Sequence, residues 1–310
     1  MAFFNVLPGA IAEGLIWGLM AIGVYISYKI LDIADLTVDG SICTGACVCV
    51  VLLSGGVPVW LAILAAFAAG ALTGILTGLF HTALGIPAIL SGILTQLILY
   101  SVNLSILGGK SLVAVNAQTT ELFLHMSNNP LAVAKAGMII VAVIVGLWLF
   151  FYTEVGLTIK STGDNPDMSR AQGINVNFNK VLGLAISNGI VALAGALLAQ
   201  YKGSANINDG RGAIVIGLAA IFIGLSVSMK IKPNFVVSLI GVIGGGVVYY
   251  IIYNFVILLG LKTDYLKMLS AIIVALFLAI PYIKSEYFRK NKPVILDAAG
   301  QDGMGGGANA

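Results

Sequence analysis

Long apolar runs separated by short polar stretches dominate the pattern of the chain. A segment that faces lipid must satisfy its own backbone N–H and C=O groups, and about 20 apolar residues in a helix cross the hydrocarbon core. The pattern therefore predicts an all-α polytopic membrane helical bundle with about nine transmembrane helices. The runs cover residues 3–28, 41–54, 57–80, 87–107, 131–152, 178–201, 212–229, 234–261 and 265–283.

Composition excludes a soluble protein. Hydrophobic residues make up 59% of the 310 residues and charged residues only 9%, whereas soluble domains carry roughly a quarter charged residues. We expect residues 1–290 to form a single transmembrane domain and the Gly-, Ala- and Asp-rich residues 291–310 to form a disordered tail. The first 28 residues lack the basic start and cleavage site of a signal peptide, so we expect them in the mature protein. The net charge of +3 gives no indication of a nucleic-acid partner.

The distribution of basic residues predicts the orientation in the cell membrane, because Lys and Arg are retained on the cytoplasmic side. The cluster at 284–292 places the C-terminus in the cytoplasm. Counting nine spans backward places the loop at 153–180 inside and the N-terminus outside, and no Lys or Arg precedes Lys29. The bias is incomplete, since the predicted outer loops also contain Lys110, Lys202 and Arg211.

The sequence gives little support for catalysis or for a bound cofactor. His81 and His125 are the two histidines, and neither belongs to a known catalytic motif. Residues 108–111 resemble the end of a phosphate-binding loop, but Leu104 occupies the position of its first glycine. We therefore expect no catalytic site, no metal and no cofactor, with any ATP bound by a partner chain. Three cysteines in one apolar segment are expected to be small packing residues: Cys43, Cys47 and Cys49.

The polar loop at 153–180 contains the signature of a short capped helix. Asn165, Pro166 and Asp167 form a typical helix start, because proline favours the first position and an acidic side chain favours the positive end of the dipole. Gly173 is placed to end this helix about two turns later, after Arg170. The pattern favours a docking element on the cytoplasmic face, and the alternative is an ordinary solvated loop.

Residues 156–176 resemble the cytoplasmic loop of the ABC permease family of branched-chain amino acid and ribose importers. Lys160 keeps a basic position of that loop, whereas Leu157 and Met168 depart from its pattern. Residues 35–41 are similar to the D-L-S-V-G-S signature of the sugar branch, with Asp39 as an extra residue. The basic first helix of the sugar branch is missing, as in the amino-acid branch. The loop matches are Gly156, Ile159, Thr162, Gly163, Asn165, Arg170, Gly173, Ile174, Asn175 and Val176.

This resemblance implies a type II-like importer permease that works with two cytoplasmic ABC ATPase subunits, an extracytoplasmic solute-binding protein and a second permease copy within membrane lipid. The short helix would insert into a cleft on the ATPase. The solute would be small and polar, with an amino acid preferred over a sugar or nucleoside. The residues expected to couple the ATPase are Gly163, Asn165, Asp167, Arg170 and Gly173.

A secondary transporter driven by an ion gradient is the alternative function. It would require paired carboxylates or lysines within the spans. The main mid-span candidates are Glu13 and Lys135, and both lie near the ends of their predicted spans.

Polar residues inside apolar stretches mark a candidate pathway. Asp32, Asp35, Thr37 and Asp39 interrupt two spans, and charge within a membrane is costly unless it is paired or wet. The break is expected to form the inner end of the pathway or a gate, and the alternative is a cytoplasmic turn with solvated carboxylates.

Three uncharged residues complete the candidate pathway. Gln96 and Asn103 are seven positions apart and share a helix face, and Asn188 lies in the inner half of its span. The alternative for all three is hydrogen bonding between helices. Gly70, Gly74 and Gly78 form a ladder of small residues that predicts close helix packing or a hinge.

Overall fold

The computed structural model describes residues 2–115, 122–126, 129–228 and 234–258, together with isolated positions between 268 and 279. The last apolar run, the basic cluster at 284–292 and the tail at 291–310 lie largely or wholly outside these described residues. The helices are α1 (Ala2–Tyr25), α2 (Val38–Ser54), α3 (Val59–Thr82), α4 (Ala88–Ile106), α5 (Asn129–Phe151), α6 (Glu154–Asp164), α7 (Pro166–Ala171), α8 (Val176–Lys202), α9 (Ala213–Ser228) and α10 (Phe235–Leu258). A π-helical turn, Ile26–Ile30, continues α1.

Six helices in the described part of the chain are long and apolar enough to cross a membrane: α1 with its π-helical turn, α3, α4, α5, α8 and α10. Helices α2 and α9 are shorter, with 17 and 16 residues. At 1.5 Å per residue each rises roughly 25 Å, which is less than the ~30 Å hydrocarbon core. The helical membrane bundle is confirmed, whereas the count of nine spans remains a prediction.

Helix α8 is the central element of the bundle. Every residue from Gly183 to Tyr201 except Ile186 is buried, and α1, α2 and α3 pack around it. The predicted glycine ladder of α3 faces α8, because a Cβ atom at Gly78 would lie 2.8 Å from the Cα of Val181. Gly70 and Gly74 meet the α8 backbone in the same way. Close packing is therefore confirmed as a role of the ladder.

Helices α4 and α5 lie at the periphery with large apolar side chains on their outer faces. Leu97 and Ile98 of α4 and Met138, Val141 and Leu149 of α5 are all exposed. A soluble monomer rarely exposes apolar surface on this scale, whereas hydrocarbon is the appropriate solvent for it.

The two ends of the bundle differ in structure. At one end, here the hairpin end, β1 (Leu112–Ala114) pairs antiparallel with β2 (Ser204–Asn206), so Val113 lies opposite Ala205. At the other end, here the α7 end, α6 and α7 precede the start of α8. The two short strands are an addition to the expected all-helical structure, and they tie the end of α8 to the segment that follows α4.

Candidate functional site

The break between α1 and α2 turns back into the bundle. Asp32 adopts a left-handed conformation (φ 55°) and is exposed. Three residues later, Asp35 is only 2% exposed. The alternative of a turn with solvated carboxylates is therefore wrong for Asp35, although it describes Asp32.

Asp35 belongs to a hydrogen-bonded group at the middle of α8, here called the buried network (Asp35, Thr37, Ser41, Thr73, Thr77 and Asn188). The Asn188 amide donates to Asp35 Oδ2 at 2.6 Å, and the backbone N–H of Thr37 donates to Asp35 Oδ1 at 2.9 Å. The hydroxyl of Ser41 donates to Asn188 Oδ1 at 2.6 Å. These bonds join the break, α2 and α8 through polar groups that hydrocarbon cannot solvate.

Two hydroxyl pairs extend the buried network to α3. Ser41 and Thr73 lie 2.7 Å apart at their oxygens, and so do Thr37 and Thr77. All four side chains are buried. The network thus fixes α2 between α3 and α8, where the glycine ladder brings the backbones together.

Asp39 has a different role from Asp35, because it caps α9. Its Oδ2 accepts from the backbone N–H of Gly212 at 2.8 Å, and its Oδ1 accepts from that of Ile214 at 2.9 Å. The first N–H groups of a helix have no partner within the helix, and a carboxylate there is favoured by the helix dipole. Asp39 thereby holds the start of α9 against the start of α2.

The segment at 203–212, here called the tip segment, folds back from the end of α8 into the bundle. The backbone N–H of Gly210 donates to Cys43 Sγ at 3.1 Å, and Cys43 Sγ lies 3.3 Å from the carbonyl oxygen of Ile207. Cys43 belongs to the turn of α2 that packs near Ala192. Ala192 is ten residues before Lys202, so the tip segment reaches roughly 15 Å below the end of α8.

The tip segment, α2 and α4 enclose a cavity of about 460 Å³, here called the tip cavity. Two of the sequence-predicted pathway residues, Asp39 and Gln96, line it. Asn103 does not, since it is only 1% exposed and its amide donates over 3.4 Å to the carbonyl of Gly40. The described residues that line it are Asp39, Gly40, Cys43, Gln96, Leu97, Tyr100, Ile207 and Arg211.

The six predicted pathway residues therefore lie in three environments. Asp35, Thr37 and Asn188 lie in the buried network, Asp39 and Gln96 line the tip cavity, and Asn103 is buried outside both. Sequence reasoning missed Arg211 and Tyr100, which also line the cavity. Arg211 had been assigned to a connecting loop, and its one signal was a positive charge beside an apolar run.

Helix α7 has the local structure that its sequence predicts. The Asn165 side chain accepts from the backbone N–H of Met168 at 3.0 Å, and Pro166 occupies the first turn. Arg170 is 59% exposed in its side chain and lies 3.4 Å from Asp167. Gly173 follows with φ 80°, the left-handed conformation that ends many helices. The alternative of an ordinary loop is wrong, because the segment is a capped helix.

Helix α6 precedes α7 and was not predicted as a helix. Thr153 caps it by accepting from the backbone N–H of Gly156 at 3.3 Å, and Ile159 is fully buried. The Asn179 amide of α8 donates to Thr162 at 3.0 Å. At Gly163, α6 lies directly against the backbone of Ile30, which leaves no room for a side chain. Helix α6 thus joins α7 to the break that leads to Asp35.

The family model described as branched-chain amino acid transport system / permease component matches residues 7–280. The chain belongs to this permease family. It is accordingly a multi-pass membrane protein and the permease component of a binding-protein-dependent importer system. The match covers both sites described above and every described helix except the first five residues of α1.

Relatives of this permease transport different solutes. The chain is 37% identical over 270 residues to the tyrosine transport system permease protein of Clostridioides difficile, covering 86% of this chain and 88% of that one. It is 31% identical over 286 residues to a Rickettsia prowazekii protein without an assigned role, covering 91% and 99%. It is 25% identical over 275 residues to the ribose import permease of Escherichia coli, covering 88% and 83%. No solved structure matches the chain significantly.

Proposed function

We propose that this permease is the membrane subunit of an ATP-driven importer that moves an amino acid into the cell. The observation that supports coupling to an ATPase is the capped and exposed helix α7, held by α6 against the break before Asp35. A rigid polar helix on the surface of a membrane bundle suits insertion into a partner. The ATP would be bound by that partner.

The orientation in this proposal places the α7 end in the cytoplasm and the hairpin end outside. An ATPase would then contact Asn165, Asp167 and Arg170. Gly163 would allow the close approach of α6 to Ile30, and Gly173 would allow the left-handed turn that ends α7. A solute-binding protein would deliver the solute at the hairpin end.

A second copy of the permease is part of the proposed assembly. The tip cavity is lined from one side by α4, whose neighbouring face exposes Leu97, Ile98 and Val102. A second copy facing α4 would close the cavity into a pathway between the two chains. Lipid would cover the remaining apolar faces of α4 and α5.

The amino-acid assignment is supported by the tyrosine permease relative, which is more similar to this chain than the ribose permease is. A sugar or nucleoside is the alternative solute. An ion-driven transporter is disfavoured because the buried carboxylate of Asp35 is engaged by two donors, the Asn188 amide and the Thr37 N–H.

Reconstitution tests this proposal. The permease would be co-purified with an ABC ATPase and a solute-binding protein from the same genome and placed in proteoliposomes containing ATP. We expect uptake of radiolabelled L-tyrosine that requires ATP and persists when ionophores dissipate ion gradients. Uptake that follows an imposed ion gradient without ATP would contradict the proposal.

The coupling helix has a separate test in the same system. Arg170→Glu should lower uptake at least tenfold without loss of folded permease, because Arg170 is exposed and its ion pair with Asp167 contributes only ~0–1 kcal/mol. Arg170→Lys should retain most uptake. Normal uptake by Arg170→Glu would remove Arg170 from the coupling contact.

A further inference from the structure

Arg211 is a cation at the wall of the tip cavity, and it has no ion-pair partner among the described residues. It precedes Gly212, whose N–H is bound to Asp39, and it therefore lies at the inner turn of the tip segment. Among the described residues its guanidinium forms no ion pair and no hydrogen bond. The central carbon of its guanidinium lies 5.9 Å from the centroid of the Tyr100 ring. An ionisable side chain at membrane depth is costly and points to a function.

The same cavity wall carries one carboxylate, that of Asp39. The two Asp39 oxygens accept from the backbone N–H groups of Gly212 and Ile214 at the start of α9, and the N–H of Ala213 also favours the carboxylate. The two oxygens together offer about four lone-pair positions, so the carboxylate retains acceptor capacity beyond these donors. Asp39 is thus held in place by the helix that it caps and still has acceptor capacity at the cavity.

The two charges are not joined to each other. No ion pair links Arg211 to Asp39 in the described part of the chain, although both line one cavity. A guanidinium matches a carboxylate through paired N–H donors, and a carboxylate accepts from an ammonium group. Opposite charges held apart on one cavity wall are complementary to a ligand that carries both.

We propose that the tip cavity binds the transported solute as a zwitterionic α-amino acid, with Arg211 donating to its carboxylate and Asp39 accepting from its ammonium group. This inference rests on the proposed function and adds the chemistry by which the permease itself recognises its solute. Gln96 offers an uncharged amide beside the two charges, and Leu97 and Tyr100 offer apolar surface to the solute side chain. The volume lies within the ~300–1,000 Å³ typical of small-molecule sites.

Such a site would select among solutes by their charged groups, whereas a pathway without Arg211 and Asp39 would not. A sugar carries neither charge and would leave both Arg211 and Asp39 without a partner. An amine without a carboxylate would leave Arg211 unpaired, and an acid without an amine would leave Asp39 unpaired. Binding should be weak, because a solute on a transport pathway must also leave it.

The test measures binding to the permease–ATPase complex in nanodiscs without the binding protein, so that the selectivity of the binding protein does not contribute. The probe is radiolabelled L-tyrosine, and the competitors are unlabelled L-tyrosine, tyramine, 3-(4-hydroxyphenyl)propionate and D-ribose. We expect saturable binding that only L-tyrosine displaces efficiently. Arg211→Gln should weaken binding at least tenfold and reduce the preference for L-tyrosine over tyramine. Arg211→Lys should retain part of both.

Controls separate binding from folding. Lys110→Gln removes a cation from the same end of the bundle outside the cavity and should bind as the unmodified complex does. Asp39→Asn keeps one acceptor oxygen for α9 and should reduce the preference over 3-(4-hydroxyphenyl)propionate. The melting temperature of each complex is measured alongside.

Several results would overturn the inference: no saturable L-tyrosine binding, equal displacement by tyramine, or binding by folded Arg211→Gln within twofold of the unmodified complex. ATP-driven uptake that survives any of these results would leave the proposed function intact and remove only the zwitterion site. Absence of ATP-driven amino-acid uptake by the unmodified reconstituted system would instead contradict the proposed function.

Discussion

The buried network and the tip cavity start four residues apart in the chain, at Asp35 and Asp39, yet they treat charge in opposite ways. Asp35 is 2% exposed, and its oxygens accept from Asn188 and Thr37. Around the tip cavity, Arg211 lines the wall without an ion-pair partner among the described residues. Asp39 is held by backbone donors and retains acceptor capacity. One region uses polar groups to join helices, and the other leaves charge available to a ligand.

The difference shows what decides the role of a polar residue inside a membrane protein. A buried polar group with all its partners inside the protein favours one packing of the helices, because separation would leave it unsatisfied. A charged group beside a cavity has hydrogen-bonding capacity that the protein leaves unsatisfied and that a ligand can use. Substitutions should therefore affect stability in the buried network and transport in the tip cavity.

The largest effect is expected for Asn188→Leu. This change removes the amide that binds Asp35 and the oxygen that binds Ser41, so a buried carboxylate loses one of its donors. Removing the partner of a buried charge costs about 3 kcal/mol or more. We expect poor recovery of folded permease and a clearly lowered melting temperature in detergent.

Asn254→Leu is the matched control for this change. Within the described residues the Asn254 amide bonds only to the carbonyl of Tyr250 in its own helix, and Asn188 also makes such a bond, to Leu184. The difference between the two variants isolates the contacts with Asp35 and Ser41. Equal melting temperatures for the two variants would show that the buried network does not stabilise the bundle.

The second effect is expected in transport. Gln96→Leu should lower uptake per folded complex about tenfold, equivalent to about 1.4 kcal/mol, since an apolar side chain replaces an amide in the cavity wall. The melting temperature should not change, because the Gln96 side chain forms no hydrogen bond within the described residues. Ser101→Leu, on an exposed part of α4 outside the cavity lining, is the control. A lowered melting temperature with unchanged uptake would assign Gln96 to packing.

Sequence reasoning succeeded where the determinant is local. Apolar length predicted the helices, because a lipid-facing backbone has few alternatives to a helix. Asn165, Pro166 and Gly173 predicted α7, because capping depends on neighbouring residues. The glycine ladder of α3 likewise follows from spacing alone.

Sequence reasoning was limited where the determinant is distant. The pattern grouped Asp32, Asp35 and Asp39 as one candidate gate, and the structure gives each a different environment. Asp35 is buried because Asn188, 153 residues later, meets it, and no local pattern encodes that distance. Helix α6 was missed because its polar composition resembles a loop, although Thr153 marks its start. The tip segment has no local signal of its inward turn.

The third effect is a smaller loss of stability, which is expected in the buried network. In Thr77→Val the hydroxyl of Thr37 loses the Thr77 hydroxyl 2.7 Å away but keeps its bond to Asp35, and side-chain volume is nearly unchanged. Loss of this one buried hydrogen bond should cost about 1 kcal/mol, measurable as a lower melting temperature with uptake per folded complex unchanged. Thr95→Val is the control, because Thr95 is also buried but bonds to the carbonyl of Ser91 in its own helix. A reduced uptake at full stability would place Thr77 on the pathway.

Asn103→Leu has the smallest expected effect and tests the division between the two regions most directly. Asn103 shares a helix face with Gln96, and from sequence the two have the same predicted role. In the structure Asn103 is 1% exposed, its amide bond to Gly40 is long at 3.4 Å, and its Oδ1 has no partner in the described part of the chain. Leucine therefore removes one weak bond and one unsatisfied oxygen, and the two changes should nearly cancel. We expect a stability change within the ~0.6 kcal/mol typical of a hydrogen bond between membrane helices, together with normal uptake.

Parallel uptake assays of Asn103→Leu and Gln96→Leu compare a buried and a cavity-facing residue on one helix. A tenfold loss of uptake for both would mean that Asn103 reaches the pathway in another conformation, and burial in this structure would then not separate packing residues from pathway residues.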